Sequence, residues 1–393
     1  MNIRSITIFV PLVRDILSMS VFAHEARSSF ESAGIPVQTV RIATAPFPSL
    51  LEAPQNAADL AREVESAIRE LGIDYASLGP GTGSWIDCIP DMLAATETVF
   101  ASSVVATRRG GIDFDGIRQT AKVVKQVSSI SEDGFGNLRM AALCNVPPGA
   151  PFFPAAYHDG ESSAFAIATE SADLAVSAFE SSKTLEEARQ NLIGAVESMA
   201  GQMVSIARAL ALAHNIRFTG IDFSLAPFPQ ETLSIGRALE RLSGACIGAP
   251  GTLAAAAFVT SALDEANFPR CGFCGLLLPV LEDAVLAQRA AEGQLALGDL
   301  LQYSAVCGTG LDTIPLPGDI HEETLAAILL DVAALALRLD KPLTARLMPL
   351  PGKVAGDAVN FDFNWFANSR VMQVPADKWR PRDGLFSSSF RKG

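Results

Sequence analysis

The stretch Ile3-Arg4-Ser5-Ile6-Thr7-Ile8-Phe9-Val10 is short, apolar and rich in β-branched residues, and a helical pattern over residues 14–32 follows it. A second such run, residues 37–43, leads into apolar residues at three-and-four spacing over 56–71. This alternation decides the fold class: an α/β fold with largely parallel strands. It continues with a strand near residues 75–78, a helix over 112–127 and a strand over 139–146. Residues 171–214 then read as nearly continuous helix, interrupted before Thr184, an N-cap with Glu187 three residues later. Beyond it the spacing predicts strands over 218–224, 275–279 and 344–348, and helices over 232–242, 252–266, 282–291 and 322–338. No Pro/Ser linker and no short repeat divides the chain, so one α/β domain over residues 1–393 is expected, with halves of about 1–183 and 184–393.

The 393 residues allow one large α/β domain or two, and 49% hydrophobic against 19% charged residues supply a sizeable core. Thirty Lys and Arg against 43 Asp and Glu give a net charge of −13. Nucleic acid and anionic membranes need clustered positive charge, so neither is expected as a partner, and a small soluble substrate is. The apolar run 6–13 is too short for a membrane span and ends at Arg14 and Asp15, which also speaks against a signal peptide. Six cysteines scattered along the chain read as reduced thiols, and the expected location is cytoplasmic.

Polar and glycine-rich loops after strands are where open α/β folds place ligands. Leu78-Gly79-Pro80-Gly81-Thr82-Gly83-Ser84 offers backbone N–H groups to an anion, but its spacing fits no nucleotide motif, so no nucleotide cofactor is expected. His158 beside Asp159 is a candidate acid, base or metal ligand, with a solvated loop histidine as the alternative. Asp222 lies inside an apolar strand and needs a metal, an Arg or backbone donors; a structural ion pair is an equal alternative. Glu282 and Asp283 open a helix, as ligands or simply as favourable charges at its N-terminus. Cys271 and Cys274 have zinc-like spacing without a second ligand pair. Cys307, in Ser304-Ala305-Val306-Cys307-Gly308-Thr309-Gly310-Leu311-Asp312-Thr313, reads as an accessible nucleophile or else as a small buried loop residue. Arg346 and Lys353 are candidate clamps for a carboxylate or phosphate, and Asp357 is a candidate acid or metal ligand.

The segments IDFSLAPFP (221–229), GAPGT (248–252), CGLLLPVLED (274–283), SAVCGTGLDTIPLPGD (304–319) and LTARLMPLPGKVAGD (343–357), in this order, resemble the DUF711 (UPF0210) family. The likeness extends over roughly residues 85–373, with the first 80 residues matching only loosely. The resemblance implies a ten-stranded α/β barrel similar to that of the glycyl radical enzymes, such as pyruvate formate-lyase, and of ribonucleotide reductase. In that architecture two five-stranded parallel halves run antiparallel to each other, and a loop bearing a cysteine enters the barrel; Cys307 would take that place. Residues 360–368 contain no glycine where the family is Gly-rich near its C-terminus, so no glycyl radical is expected. The family's Gly-containing turn is absent at Glu170-Ser171-Ala172.

The expected function is a cytosolic, non-radical enzyme acting on a small anionic metabolite, a lyase or hydrolase assisted by a divalent metal. Cys307, His158 and Asp222 would be catalytic, and Arg346, Lys353, Thr309 and Ser224 would hold the substrate. Glu282, Asp283, Asp312 and Asp357 would bind Mg²⁺ or Ca²⁺ through oxygen. The alternative is a non-catalytic small-molecule binding or regulatory protein using the same pocket, and in either case a homo-oligomer is expected.

Overall fold

A computed structural model of the chain describes residues 1–375. Its centre is a mixed ten-stranded sheet. The strands are β1 (Asn2–Val10), β2 (Val37–Thr44), β3 (Tyr75–Gly81), β4 (Val99–Thr107), β5 (Gly111–Ile112), β6 (Met140–Cys144), β7 (Ala164–Glu170), β8 (Arg217–Ala226), β9 (Gly310–Pro317) and β10 (Leu343–Leu350). They lie in the order β8-β7-β1-β2-β3-β4-β6-β10-β9, with β5 pairing only with β4. β1, β2, β3, β4 and β6 are parallel neighbours. β7 and β8 form a parallel pair, as do β9 and β10. The two directions meet antiparallel at β1–β7 and at β6–β10.

Both faces of β1 are buried, as a mainly parallel sheet requires. Ile6, Ile8 and Val10 belong to the large core shared with the helices. On the opposite face Ser5 and Thr7 donate to the Pro151 carbonyl at 3.4 Å, and Phe9 packs in a separate cluster with Phe100 and Phe153. Residues 151–158 therefore run across the inner face of the sheet, where Ser77 also donates to the Ala156 carbonyl at 2.7 Å. The helices cover the outer face by simple periodicity: in Ala57–Glu70 the buried positions are Ala57, Leu60, Ala61, Val64 and Ile68, one stripe at three-and-four spacing. The long helix Leu185–His214 opens as expected, Thr184 Oγ1 accepting from the Glu187 N–H at 3.1 Å and Glu187 Oε2 from the Lys183 N–H at 2.7 Å. No described helix is long and apolar enough to cross a membrane.

Several elements depart from the sequence reading. Residues 99–107 and 164–170 form strands that the pattern did not single out, and 310–317, read as a glycine loop, form β9. Pro315 and Pro317 are tolerated there because β9 ends the strand order and has a regular partner on one side only. Residues 275–279, expected to be a strand, form no regular ladder. The extended stretch 270–280 makes isolated bridges to both end strands, Arg270 with Ile221 of β8 and Pro279 with Asp312 of β9. The Leu277 N–H donates to the Ser224 carbonyl at 3.0 Å and the Val280 N–H to the Asp312 carbonyl at 3.1 Å. The regular ladder is therefore open between β8 and β9, and the ten-stranded barrel expected from the resemblance appears as a ten-stranded sheet.

Two irregularities in the ladder re-aim charged residues. Between Ile3 and Ser5 the β1–β7 register slips, so that Arg4 has no opposite residue on β7. Between Ala345 and Leu347 of β10, Asp312 and Thr313 of β9 together oppose Arg346, and Thr313 has a φ of 45°.

Candidate functional site

A pocket opens at one end of the sheet, over the first residues of β1–β4. Its empty space is about 740 Å³, counting the part that is open to solvent. Its wall combines Arg4, Arg41 and Arg346 with Glu282, the hydroxyls of Ser5 and Thr39, and an aromatic surface that includes Tyr75, Phe100 and Phe153.

Under this pocket lies a buried ionic cluster. Arg346, only 4% exposed, donates from Nε to Asp312 Oδ1 at 2.6 Å, from Nη2 to Glu282 Oε1 at 2.8 Å and from Nη1 to the Leu138 carbonyl at 3.3 Å. Arg4, re-aimed by the β1 irregularity, pairs with the other oxygen of Glu282 and donates to the Pro227 carbonyl at 3.3 Å. Burial pushes Glu282 up, but the Arg4 and Arg346 guanidiniums outweigh it and hold its carboxyl below the ordinary range. For Asp312 burial wins over Arg346, helped by repulsion from Glu282, and its carboxyl is raised. Its second oxygen, Oδ2, is buried without a hydrogen-bond partner among the described residues. The two acids thus share one guanidinium unequally: Glu282 keeps its charge and Asp312 keeps its proton further up the pH scale.

This inequality fixes a sign. A folded-state value above the unfolded one means that Asp312 favours folding at low pH and that this contribution is lost as pH rises through the ordinary aspartate value of about 4 towards the raised one. Asp312→Asn lacks that loss. Its destabilisation relative to wild type, read from urea unfolding, should be smaller at pH 7 than at pH 4; an equal or larger cost at pH 7 would contradict the assignment.

Arg41 differs from its neighbours. Its Nε donates to Thr39 Oγ1 at 2.8 Å, and its guanidinium lies over the rings of Phe153 (5.0 Å) and Tyr75 (5.7 Å). No carboxylate of the described residues forms an ion pair with it, whereas Arg4 and Arg346 are both paired. Burial and then repulsion by Arg4 bring it down to about 9, so it remains charged at neutral pH.

Of the residues nominated from sequence, the structure brings Arg346, Glu282 and Asp312 together and leaves the others elsewhere. Asp222 takes the backbone-donor option: its carboxylate accepts from Ser224 Oγ at 2.5 Å and from the N–H groups of Phe273 and Cys274 at 2.9 and 3.0 Å, and so ties down the turn 271–274. Asp222→Ala should cost about 1–3 kcal/mol by stranding those donors, as thermal unfolding would report. Asp283 caps the helix Ala284–Ala291, accepting from Val285 and Leu286 N–H at 2.9 Å and from Ser234 Oγ at 2.6 Å. His158 is buried; its Nδ1 accepts from the Gly160 N–H at 2.7 Å, and its Nε2 faces the Ser162 carbonyl at 3.2 Å. Lys353 donates to the Ala358 carbonyl at 2.6 Å and Asp357 accepts from the Val354 N–H at 2.8 Å, both within one turn after β10. Thr309 accepts through its carbonyl from Thr344, and its own Oγ1 is buried without a partner among the described residues. Among the described residues no three of His, Cys, Asp and Glu gather as a metal-binding group.

Cys307 takes the buried alternative, at 1% exposure. The glycine beside it serves close packing rather than access, since a Cβ on Gly308 would stand 2.8 Å from Gly275 Cα and one on Gly275 2.5 Å from Gly308 Cα. Burial also raises Cys274 to about 12 and Cys271 well above the ordinary thiol value. A maleimide should therefore label the exposed Cys246 first and reach Cys144, Cys274 and Cys307 only with unfolding, as peptide mass spectrometry of timed samples would show.

Arg4 and Arg41 are the residues that the sequence reading missed. The available signal was a cation inside an otherwise apolar, β-branched strand of a chain with net charge −13, twice over.

The comparisons with known proteins agree on one family. The family profile described as Uncharacterised ACR (DUF711) matches residues 1–368, so the N-terminal strands belong to the match as fully as the rest. A UPF0210 protein of Methanopyrus kandleri is 32% identical over 92% of this chain and 85% of its own length. Those of Pyrobaculum arsenaticum (31% identical; 91% of this chain, 87% of its own length) and a Thermoanaerobacter species (30%; 92% and 84%) are similar throughout. With a family match over residues 1–368 and relatives 31–32% identical over more than nine-tenths of its length, the chain belongs to the DUF711 (UPF0210) family.

Proposed function

We propose that this protein binds a small anionic metabolite in the pocket over β1–β4, with Arg41 as the anchor. The observation that carries the reading is the contrast among three arginines in one pocket: two are paired with buried carboxylates, and the third lies over two rings with no ion pair to an acid of the described residues. A guanidinium so placed is already partly desolvated and is pre-positioned, so an incoming anion gains a charge-assisted pair in a low-dielectric wall. We further infer that residues 270–280 act as the missing stave between β8 and β9, making a barrel whose interior holds residues 151–158; the isolated bridges to both strands support this.

A second reading, catalysis, draws on the Glu282–Arg346–Asp312 group. One carboxyl held below the ordinary range beside one raised above it is the division of labour that acid–base chemistry uses, and Glu282 lines the pocket. A lyase or hydrolase acting on the bound anion fits that arrangement.

The test is a thermal-stabilisation screen of a metabolite pool against wild type and Arg41→Gln, with mass spectrometry of each hit after incubation. Hits that stabilise wild type but not the variant are expected. Equal stabilisation of both proteins would remove Arg41 as the anchor. Consumption of the hit would favour the enzyme, and its intact return the binding protein.

A further inference from the structure

We propose that the ligand of this pocket is a monocarboxylate carrying a flat, ring-sized apolar body, an inference that rests on the anion-binding reading of Arg41.

Charge and geometry select the head group. Nε of Arg41 is engaged by Thr39 Oγ1, which leaves the two terminal nitrogens to meet an anion end-on, the spacing that the two oxygens of a carboxylate match. One free guanidinium supplies one positive charge, and the carboxylate of Glu282 lines the same pocket. Arg4 and Arg346 line it too but are engaged by Glu282 and Asp312, so the one guanidinium without an acid partner among the described residues matches a single negative charge. Among the described residues the lining includes no lysine and no glycine, so these supply neither a second mobile cation nor a loop of bare N–H groups to cradle phosphate.

The wall selects the body. Tyr75 meets Phe100 edge-on with centroids 5.4 Å apart, and Phe100 meets Phe153 in the same way at 5.4 Å, so three rings form one continuous surface beside the Arg41 head group. Phe152 also lines the pocket, its ring centroid 5.7 Å from the guanidinium carbon of Arg346, and half-buried Phe363 and Trp365, centroids 5.2 Å apart, add to the wall. A planar apolar body between such rings gains edge and face contacts that a short polar acid cannot make. Among the described residues the uncharged polar groups of the lining are the side chains of Ser5, Gln38 and Thr39, the Tyr75 hydroxyl and the Trp365 indole N–H, so polar recognition beyond the head group is limited.

The experiment is isothermal titration of wild type, Arg41→Gln and Trp365→Ala with phenylacetate, acetate and inorganic phosphate, after checking that the unliganded proteins unfold at similar temperatures. Phenylacetate should bind wild type at least about tenfold more tightly than acetate, and phosphate should not compete with it. Arg41→Gln should weaken phenylacetate about tenfold or more, while Trp365→Ala should weaken phenylacetate and leave acetate unchanged. Phosphate binding that is tighter and depends on Arg41 would overturn the monocarboxylate while keeping the anion pocket, and acetate matching phenylacetate would overturn the ring-sized body. If none of the three anions binds in an Arg41-dependent way, the anion-pocket reading itself fails, and this inference with it.

Discussion

Arg346→Met should destabilise the protein by about 3–5 kcal/mol, because it removes the cation that two buried carboxylates share. Methionine fills much of the arginine's volume, so the effect reads the charge rather than a cavity. Glu282 would retain Arg4, but Asp312 would lose its cation and keep an oxygen that already has no hydrogen-bond partner. The Leu138 carbonyl would lose a donor as well. Arg346→Lys should fall between the two, since one ammonium cannot reproduce a planar fork that reaches Asp312 and Glu282 at once. Adding Asp312→Asn to Arg346→Met should recover part of the loss, the coupling expected of groups in direct contact. Urea unfolding at pH 7 of wild type, Arg346→Met, Asp312→Asn and the double variant measures this cycle, and an Arg346→Met protein within about 1 kcal/mol of wild type would mean that the cluster tolerates uncompensated charge, against the argument for its role.

The second large effect lies at the first residue of β9. Gly310 has a φ of 95°, where a side chain is strained, and a Cβ built there would stand 2.4 Å from the Thr344 carbonyl oxygen and 3.0 Å from the Thr344 nitrogen. Both atoms are backbone of β10, which pairs Thr344 with Gly310, so no rotamer change relieves the contact. Strain and displacement together should cost about 3 kcal/mol or more for Gly310→Ala. The consequence reaches the site: Asp312 is two residues further along β9, and a shift of that strand moves it away from Arg346. Gly310→Ala should therefore show both a lower unfolding midpoint and a changed pH dependence of stability in the acid range. A neutral substitution would indicate that the β9–β10 pairing can open at this end.

Residues in short-range register were legible because local rules govern them. Thr184 and Glu187 are three apart, and the reciprocal cap forms as their spacing required. Asp222 needed a partner because a buried charge must have one, and of the options open to it the structure takes the backbone donors of the turn 271–274. The Gly-rich sequence around Cys307 was harder to read. Glycine is used both where a loop must be open and where two backbones must touch, and composition does not separate these; the contact between Gly275 and Gly308 shows the second. β9 was hidden by its prolines, which count against a strand except at the end of a ladder.

The sequence by itself determined the α/β class, most of the helices, the cap at Thr184 and the family, since all of these follow from periodicity, local hydrogen-bond demand or the order of motifs. Only the tertiary structure decided the site. Arg4 and Glu282, 278 residues apart, meet because β1 slips its register against β7, and Asp312 faces Arg346 because β9 carries one residue more than β10 at that point. Arg41 becomes distinctive only by comparison with neighbours that pair with acids, since no acid of the described residues forms an ion pair with it. Such a difference depends on which charges the fold brings within a few ångströms of one another, and electrostatic partnership over that range is set by packing rather than by position along the chain.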